Sequence, residues 1–151
     1  MPKKSASPAS KPKQYSDFLK GIKLYIVALD DASCAINRER YWECNEQEKG
    51  MVRTFEASYQ ATAIEGTSFD VIGSLEMKIL STKDKDELLR IACQYSTHFH
   101  ARTRVDEGAA QRFANAEAKI IIWPYFRQLV TDLSARMYIP PIIVPLSLDT
   151  K

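Results

Sequence analysis

The feature that most constrains this fold is a pair of segments in which apolar and polar residues alternate. The first runs from Phe69 to Leu80, the second from Leu89 to Phe99, and the charged stretch 81–87 separates them. A period of two is typical of a strand with one buried face. The pair therefore predicts a β-hairpin. Its apolar face is formed by Phe69, Val71, Leu75, Met77, Ile79, Leu89, Ile91, Cys93, Tyr95 and Phe99.

Two more strands are predicted before this hairpin. Residues 22–29 are an apolar run of strand length, and residues 55–63 alternate as the hairpin does. The segment 37–50 between them is polar and charged except for Tyr41 and Trp42. We interpret it as a connection rather than an element of secondary structure.

Beyond Arg104 the apolar period becomes helical. The acids Asp106 and Glu107 suit a first helical turn and precede a short apolar segment, which predicts a short helix. The main helix follows, with a kink or restart expected at Pro124, because proline lacks the amide that a helix interior uses. Its predicted inner face is formed by Phe126, Leu129, Val130, Leu133 and Met137.

These elements predict the fold class. The three prolines of the final segment IPPIIVPLSLDTK exclude a helix and a central strand, so we expect this segment to be extended. Four strands followed by helices indicate an α+β fold, a four-stranded antiparallel sheet with C-terminal helices packed on one face.

Charge divides the chain into a tail and one domain. The formal net charge is +2, but residues 1–14 carry four lysines and no acid, so the remainder is at −2. Nucleic-acid binding needs a concentrated cationic face, which this slightly acidic body lacks. We expect residues 1–19 to be a flexible basic tail and residues 20–151 to be one domain without nucleic-acid contacts.

The cysteines and the hydropathy pattern indicate a compartment. Cys34, Cys44 and Cys93 are odd in number and lack the spacings of zinc or redox motifs, which favours a reducing cytoplasm. No signal-peptide pattern and no apolar run near the ~20 residues of a membrane span is present. We therefore expect a cytoplasmic protein without membrane insertion.

Residues that carry chemistry are scarce. The sequence has no P-loop, dinucleotide glycine pattern or nucleophile elbow, so we expect neither cofactor nor catalysis. His98 and His100 fall on one strand face and have a spacing that could share a metal, although no third ligand is evident. A small metal-dependent enzyme using this pair is the alternative from another class. Cys93 is expected in the core and inert.

The C-terminal stretch AKIIIWPYFRQLVTDLSARMYIPPIIVPLSLD resembles the signature region of the SecB protein-export chaperones. The pattern there is an aliphatic-aromatic-Pro-Tyr turn, a nearby arginine, an amphipathic helix ending near a basic residue, and a proline-rich segment closing on Pro and Asp. Its positions here are Ile122, Trp123, Pro124, Tyr125, Arg127, Arg136, Pro140, Pro145 and Asp149. The resemblance covers residues 20–149.

The resemblance implies an assembly and a function. It implies a homotetramer built as a dimer of dimers, and an ATP-independent holdase that binds unfolded polypeptide in apolar grooves by mass action. A crossover loop carrying aromatic residues would line these grooves together with helix and strand surfaces. The implied client-binding residues are Tyr41, Trp42, Phe126, Met137, Tyr138, Ile139, Ile142 and Val144.

The sequence also departs from the export chaperones. They continue into a further C-terminal helix and are acidic on the sheet face that meets the translocase motor, whereas this chain stops at Lys151 and offers only Asp30 and Asp31 near its first strand. SecB-like relatives with altered ends serve toxin-antitoxin modules. An antitoxin is therefore the preferred client, with general export to the translocase as the alternative. A structural oligomer without clients is the third interpretation.

Overall fold

The computed structural model of the chain describes residues 11–146, which form an antiparallel sheet of four strands with helices against one face. In chain order the elements are α1 Lys11–Lys20, β1 Lys23–Ile36, α2 Arg38–Asn45, β2 Met51–Glu65, β3 Ser68–Ser81, β4 Glu87–His100, α3 Glu107–Phe113, a π-helical turn Ala114–Ala118, and α4 Lys119–Arg136. The strand order is β1-β4-β3-β2. The predicted α+β architecture is confirmed.

The hairpin of β3 and β4 forms the centre of the sheet. Its register pairs Phe69 with Phe99 and Met77 with Ile91, so the apolar residues of both strands share a face. Every residue assigned to that face from the alternation is buried. The polar face opposite is only partly exposed along most of its length.

The outer strands are longer than their apolar patterns indicated. Strand β1 continues beyond residues 22–29 to Ile36, because the polar half of the strand pairs with β4 as far as Leu89. Strand β2 likewise extends beyond residues 55–63 at both ends by pairing with β3. Backbone hydrogen bonds do not depend on side-chain polarity, so an edge strand can continue where its side chains face solvent.

The interpretation of residues 37–50 as a connection is wrong, because α2 lies within this segment. The side-chain oxygen of Asn37 accepts a hydrogen bond from the Arg40 amide at 3.2 Å and caps the helix. The apolar face of α2 is short, since Tyr41 and Cys44 are its buried residues. Such a helix is too short and too polar to show a clear 3.6-residue period.

The boundary of the predicted tail also needs correction. Residues 1–10 lie outside the described part of the chain, but α1 begins at Lys11, inside the proposed tail of residues 1–19. The Phe18 ring lies 6.0 Å from Phe69 and 6.4 Å from Phe113, and the Arg112 guanidinium stacks 3.9 Å above the Tyr15 ring. Phe69, Arg112 and Phe113 lie far from α1 in sequence, and their contacts anchor α1 on the helical side of the sheet.

Of the kink or restart predicted at Pro124, the restart is wrong, because α4 is continuous through this residue. The irregular geometry lies earlier, in the π-helical turn before Lys119. Pro124 is exposed, and its missing amide removes one hydrogen bond that the helix tolerates. The predicted inner face of α4 is confirmed: Phe126, Val130 and Met137 are buried, and Leu129 and Leu133 are partly buried.

Helix α3 is linked to the outer edge of β2 by one side chain. The amide group of Gln111 accepts from the Ala61 N–H at 3.1 Å and donates to the Tyr59 carbonyl at 2.9 Å. This pair of bonds satisfies edge groups that would otherwise be open to another strand. No helix in residues 11–146 combines the length and hydropathy needed to cross a membrane.

Candidate functional site

The segment after α4 has no regular secondary structure, and its side chains alternate between burial and exposure. We call residues 137–146 the strap. Met137, Ile139, Ile142 and Val144 are each 5–7% exposed, whereas Tyr138, Ile143 and Leu146 are 76–85% exposed. Tyr138 has a φ of 54°, which turns the chain away from the axis of α4. The strap therefore leaves α4 through a turn at residues 137–138 and continues without regular secondary structure, with one apolar edge buried in the protein.

Three side-chain donors from different elements hold the backbone of the strap. A guanidinium N–H of Arg38 on α2 donates to the Met137 carbonyl at 2.6 Å, and one of Arg53 on β2 donates to the Ile143 carbonyl at 3.2 Å. The indole N–H of Trp123 on α4 donates to the Pro145 carbonyl at 2.8 Å. The strap therefore lies against α2, β2 and α4, and we call the surface that it covers the groove.

The amides of Met137, Tyr138 and Ile139 donate to carbonyls at the end of α4, but the rest of the strap accepts hydrogen bonds at its carbonyls and donates few from its amides. Pro140, Pro141 and Pro145 have no amide hydrogen. Within residues 11–146, no acceptor is bonded to the amides of residues 142–144. The strap is consequently not an added strand of the sheet, since strand pairing needs both donors and acceptors.

The groove is apolar and aromatic. Ile139, Ile142 and Val144 belong to the same buried cluster as Trp123 and Phe126. The Trp123 ring lies 5.2 Å from the Phe126 ring and 6.1 Å from the ring of Phe55 on β2, which packs against this cluster. A pocket of about 390 Å³, partly open to solvent, lies between α4 and residues 141–144 of the strap.

Arg127 borders this pocket with one hydrogen-bond donor unsatisfied. Arg127 of α4 lines it, and its Nε is buried with no partner within residues 11–146. A buried donor without an acceptor is costly, so this position favours an occupant that supplies an oxygen.

The aromatic pair of α2 has one buried member and one exposed member. Tyr41 is 3% exposed, and burial raises the pKa of its hydroxyl. Its ring meets the Trp42 ring edge-on, with centroids 5.7 Å apart, and Trp42 is 37% exposed. Arg40 holds α2 against the β3–β4 turn through a 2.6 Å ion pair with Asp84. Trp42 thus presents an apolar surface on a helix whose position is fixed.

The structure divides the eight expected client-binding residues into two groups. Six of them are buried in one cluster of the folded chain, namely Tyr41, Phe126, Met137, Ile139, Ile142 and Val144. Trp42 and Tyr138 are exposed. The sequence does not indicate that Arg38, Arg53 and Trp123 donate to the strap, because their acceptors lie 99, 90 and 22 residues away in the chain.

The histidine pair lies on the other face of the sheet. Nδ1 of His98 contacts a carboxylate oxygen of Asp70 at 2.5 Å, and the rings of His98 and His100 are 6.2 Å apart. Among residues 11–146, no three His, Cys, Asp or Glu side chains are placed to hold one metal ion. The structure therefore adds no third ligand to this pair.

Large apolar side chains are also exposed on β1 and on α4. On β1, Tyr25 and Ile26 are 62% and 59% exposed, and Leu24 and Leu29 also face solvent. On α4, Ile120 is 64% exposed. Exposed apolar side chains on an edge strand and on a helix are typical of contacts with another chain.

Comparisons with known proteins connect this fold to chaperones. No protein-family model matches the sequence, and neither does any curated protein. Among solved structures, a SecB-like chaperone of Mycobacterium tuberculosis in complex with a ChAD peptide from the HigA1 antitoxin is similar, with a TM-score of 0.71 and 15% identity. The match covers 91% of this chain and 99% of that one.

A second solved structure is similar over a smaller part of the chain. It is a protein of unknown function from Streptococcus agalactiae, with a TM-score of 0.50 and 12% identity, over 82% of this chain and 96% of that one. The agreement with the first structure is the stronger of the two and includes the four-stranded sheet and the C-terminal helix. The chain therefore has the fold of a SecB-like chaperone.

Proposed function

We propose that this protein is an ATP-independent holdase that binds unfolded or aggregation-prone polypeptide. The observation that carries the proposal is its fold, which it shares with a chaperone solved with a bound peptide. The groove around the strap supports it, because this groove already holds an extended apolar segment of chain. A protein that binds only the non-native client removes it from aggregation by mass action, without nucleotide, cofactor or catalysis.

We further propose a dedicated client, the antitoxin of a toxin-antitoxin system. The similar chaperone carries an antitoxin peptide, which supports this choice over general protein export. Delivery of preproteins to a translocase motor is the alternative, and binding to the purified motor would favour it.

The client-binding residues remain those expected from the resemblance. Trp42 and Tyr138 are accessible to a client in this conformation. Tyr41, Phe126, Met137, Ile139, Ile142 and Val144 are buried, so a client reaches them only when the strap moves. Aromatic and methionine side chains give large apolar contacts without fixed hydrogen-bond demands, which suits clients of different sequence.

The proposed assembly is a homotetramer that acts in the cytoplasm. The exposed apolar residues of β1 and α4 support contacts between subunits, since a monomer in water would leave this surface open. Sedimentation of the purified chain would measure its mass and test this assembly.

The holdase activity is tested by light scattering from an unfolded model protein, without nucleotide. Suppression of aggregation at near-stoichiometric amounts is the expected result, and no suppression together with no binding of an antitoxin peptide would contradict it. Trp42→Ala should weaken suppression while leaving the far-ultraviolet spectrum unchanged, because its exposed ring contributes apolar contact area. Asn45→Ala, an exposed change on the same helix, is the matched control.

A further inference from the structure

We propose that the strap occupies the client groove as an intramolecular mimic of the client, and that it defines the class of segment the groove accepts. This class is an extended segment with alternating aliphatic side chains in which proline is tolerated. The inference rests on the proposed function and names both the substrate class and the regulation of the same site. When the strap is docked, Met137, Ile139, Ile142 and Val144 occupy the groove, and a client contacts them only after the strap has moved.

The side-chain pattern of the strap supports the alternation of aliphatic side chains in the segment that the groove accepts. Its buried members lie on one edge of an extended segment, and Tyr138, Ile143 and Leu146 point away from the protein. A groove that binds clients must accept the same arrangement, with alternate side chains inserted and the rest in solvent. The groove needs no particular residue at the outward positions.

The hydrogen bonds of the strap support the tolerance of proline in the segment that the groove accepts. Arg38, Arg53 and Trp123 all donate to main-chain carbonyls, which every residue carries, proline included. Within residues 11–146 the amides of residues 142–144 have no acceptor, which indicates that the groove does not require an N–H from its occupant. This distinguishes it from binding by strand addition, in which a proline would remove a needed donor.

The fit of the strap is incomplete. A pocket of about 390 Å³, partly open to solvent, lies between it and α4, and Arg127, which lines this pocket, has a buried Nε with no partner within residues 11–146. A client that also fills this pocket, and that places an oxygen near Arg127, would make contacts that the strap does not make. Such a client could displace the strap even though the strap is covalently tethered.

Competition between strap and client predicts a measurable gain in client affinity when the strap is released. The apparent affinity of a site equals its intrinsic affinity multiplied by the fraction of time the site is open. If the strap occupied the groove ~90% of the time, its release would therefore raise the apparent affinity for the client about tenfold. The double variant Ile142→Ser/Val144→Ser removes two buried aliphatic side chains. Ile143→Ser/Leu146→Ser changes two exposed side chains of the same segment and is the matched control.

The probe is a fluorescein-labelled peptide with the sequence of residues 137–146, bound to the full-length chain and followed by anisotropy. We expect roughly tenfold tighter binding by Ile142→Ser/Val144→Ser than by the unaltered chain, and an unchanged affinity for the control variant. The unlabelled peptide should also displace an unfolded model protein from the unaltered chain. That experiment needs no variant and is independent of any folding defect.

Two outcomes separate this inference from the proposed function. If the unfolded protein binds but the strap peptide neither binds nor competes, the inference is overturned while the holdase proposal stands. If neither the unfolded protein nor an antitoxin peptide binds any form of the chain, both are overturned.

Discussion

The indole N–H of Trp123 donates a 2.8 Å hydrogen bond to the carbonyl of Pro145, which fixes the far end of the strap to helix α4. The same ring is 4% exposed and lies beside Phe55 and Phe126. Trp123 therefore combines two roles, since its ring forms part of the core and its N–H holds the strap. A buried indole usually finds such a partner, because an unpaired N–H in apolar surroundings is costly.

Replacing Trp123 by Phe separates these two roles. The substitution keeps an aromatic ring but removes the donor, and we expect it to destabilise the docked strap by about 1 kcal/mol, a roughly fivefold change in equilibrium. Limited proteolysis measures this as faster cleavage at Tyr138 or Leu146. Trp42→Phe, in which no bond to the strap is involved, should leave cleavage unchanged. Equal rates in both variants would show that the hydrogen bond does not hold the strap.

Gly73→Ala tests the packing of α4 on the sheet. A Cβ at this position would lie 3.0 Å from Cδ1 of Ile122 and 3.3 Å from a ring carbon of Tyr59, both closer than ordinary contact. Ile122 is fully buried and has little room to move, so we expect a loss of roughly 1–3 kcal/mol in the free energy of unfolding.

Urea denaturation measures this loss, and a second substitution identifies its cause. Ile122→Val removes the methyl group nearest the new Cβ, so the double variant should be more stable than the sum of the two single effects predicts. If the effects of the two substitutions simply add, the strain does not lie at the contact with Ile122.

The three cysteines should differ in reactivity. Cys34 is exposed, whereas Cys44 and Cys93 are buried. Burial, with a smaller contribution from Asp31, raises the pKa of the Cys93 thiol to about 12. Because the thiolate is the reactive form, maleimide at neutral pH should label one cysteine rapidly. Mass spectrometry should locate the label at Cys34, and rapid labelling of Cys34→Ser would contradict the buried positions of the other two.

Alkaline pH should destabilise the fold. Burial raises the pKa of both Tyr59 and Tyr95 to about 12, from an ordinary value of 10.0. The folded state therefore holds these protons more tightly than the unfolded state does. The resulting stability is fully present below pH 10 and is lost as the pH rises through 10 towards 12.

Urea midpoints at pH 8, 10 and 11 measure this dependence. Tyr95→Phe should reduce the loss at high pH because it removes one ionisable group. It also removes the 3.2 Å bond from the Tyr95 hydroxyl to the Tyr125 carbonyl, so this variant should be less stable at pH 8. A pH dependence equal to that of the unaltered chain would contradict the assignment to Tyr95.

The centre of the fold could be predicted from the sequence. The alternation in β3 and β4 predicted both strands and their buried face, and the 3.6-residue period after Pro124 predicted the inner face of α4. These patterns are readable because each arises within one element that buries one side. The motif from Ile122 to Asp149 also led to the correct fold by resemblance, although Asp149 itself lies outside the described residues.

Only the tertiary structure decided α1, α2 and the state of the strap. The first helix depends on Phe69 and Phe113, and the second depends on a cap and two buried residues rather than on a long period. The apolar character of the strap was plain from its composition, but Arg38 reaches it across 99 residues. A local pattern identifies which side chains avoid water. Which surface covers them depends on contacts between segments distant in sequence, and these form only when the chain has folded.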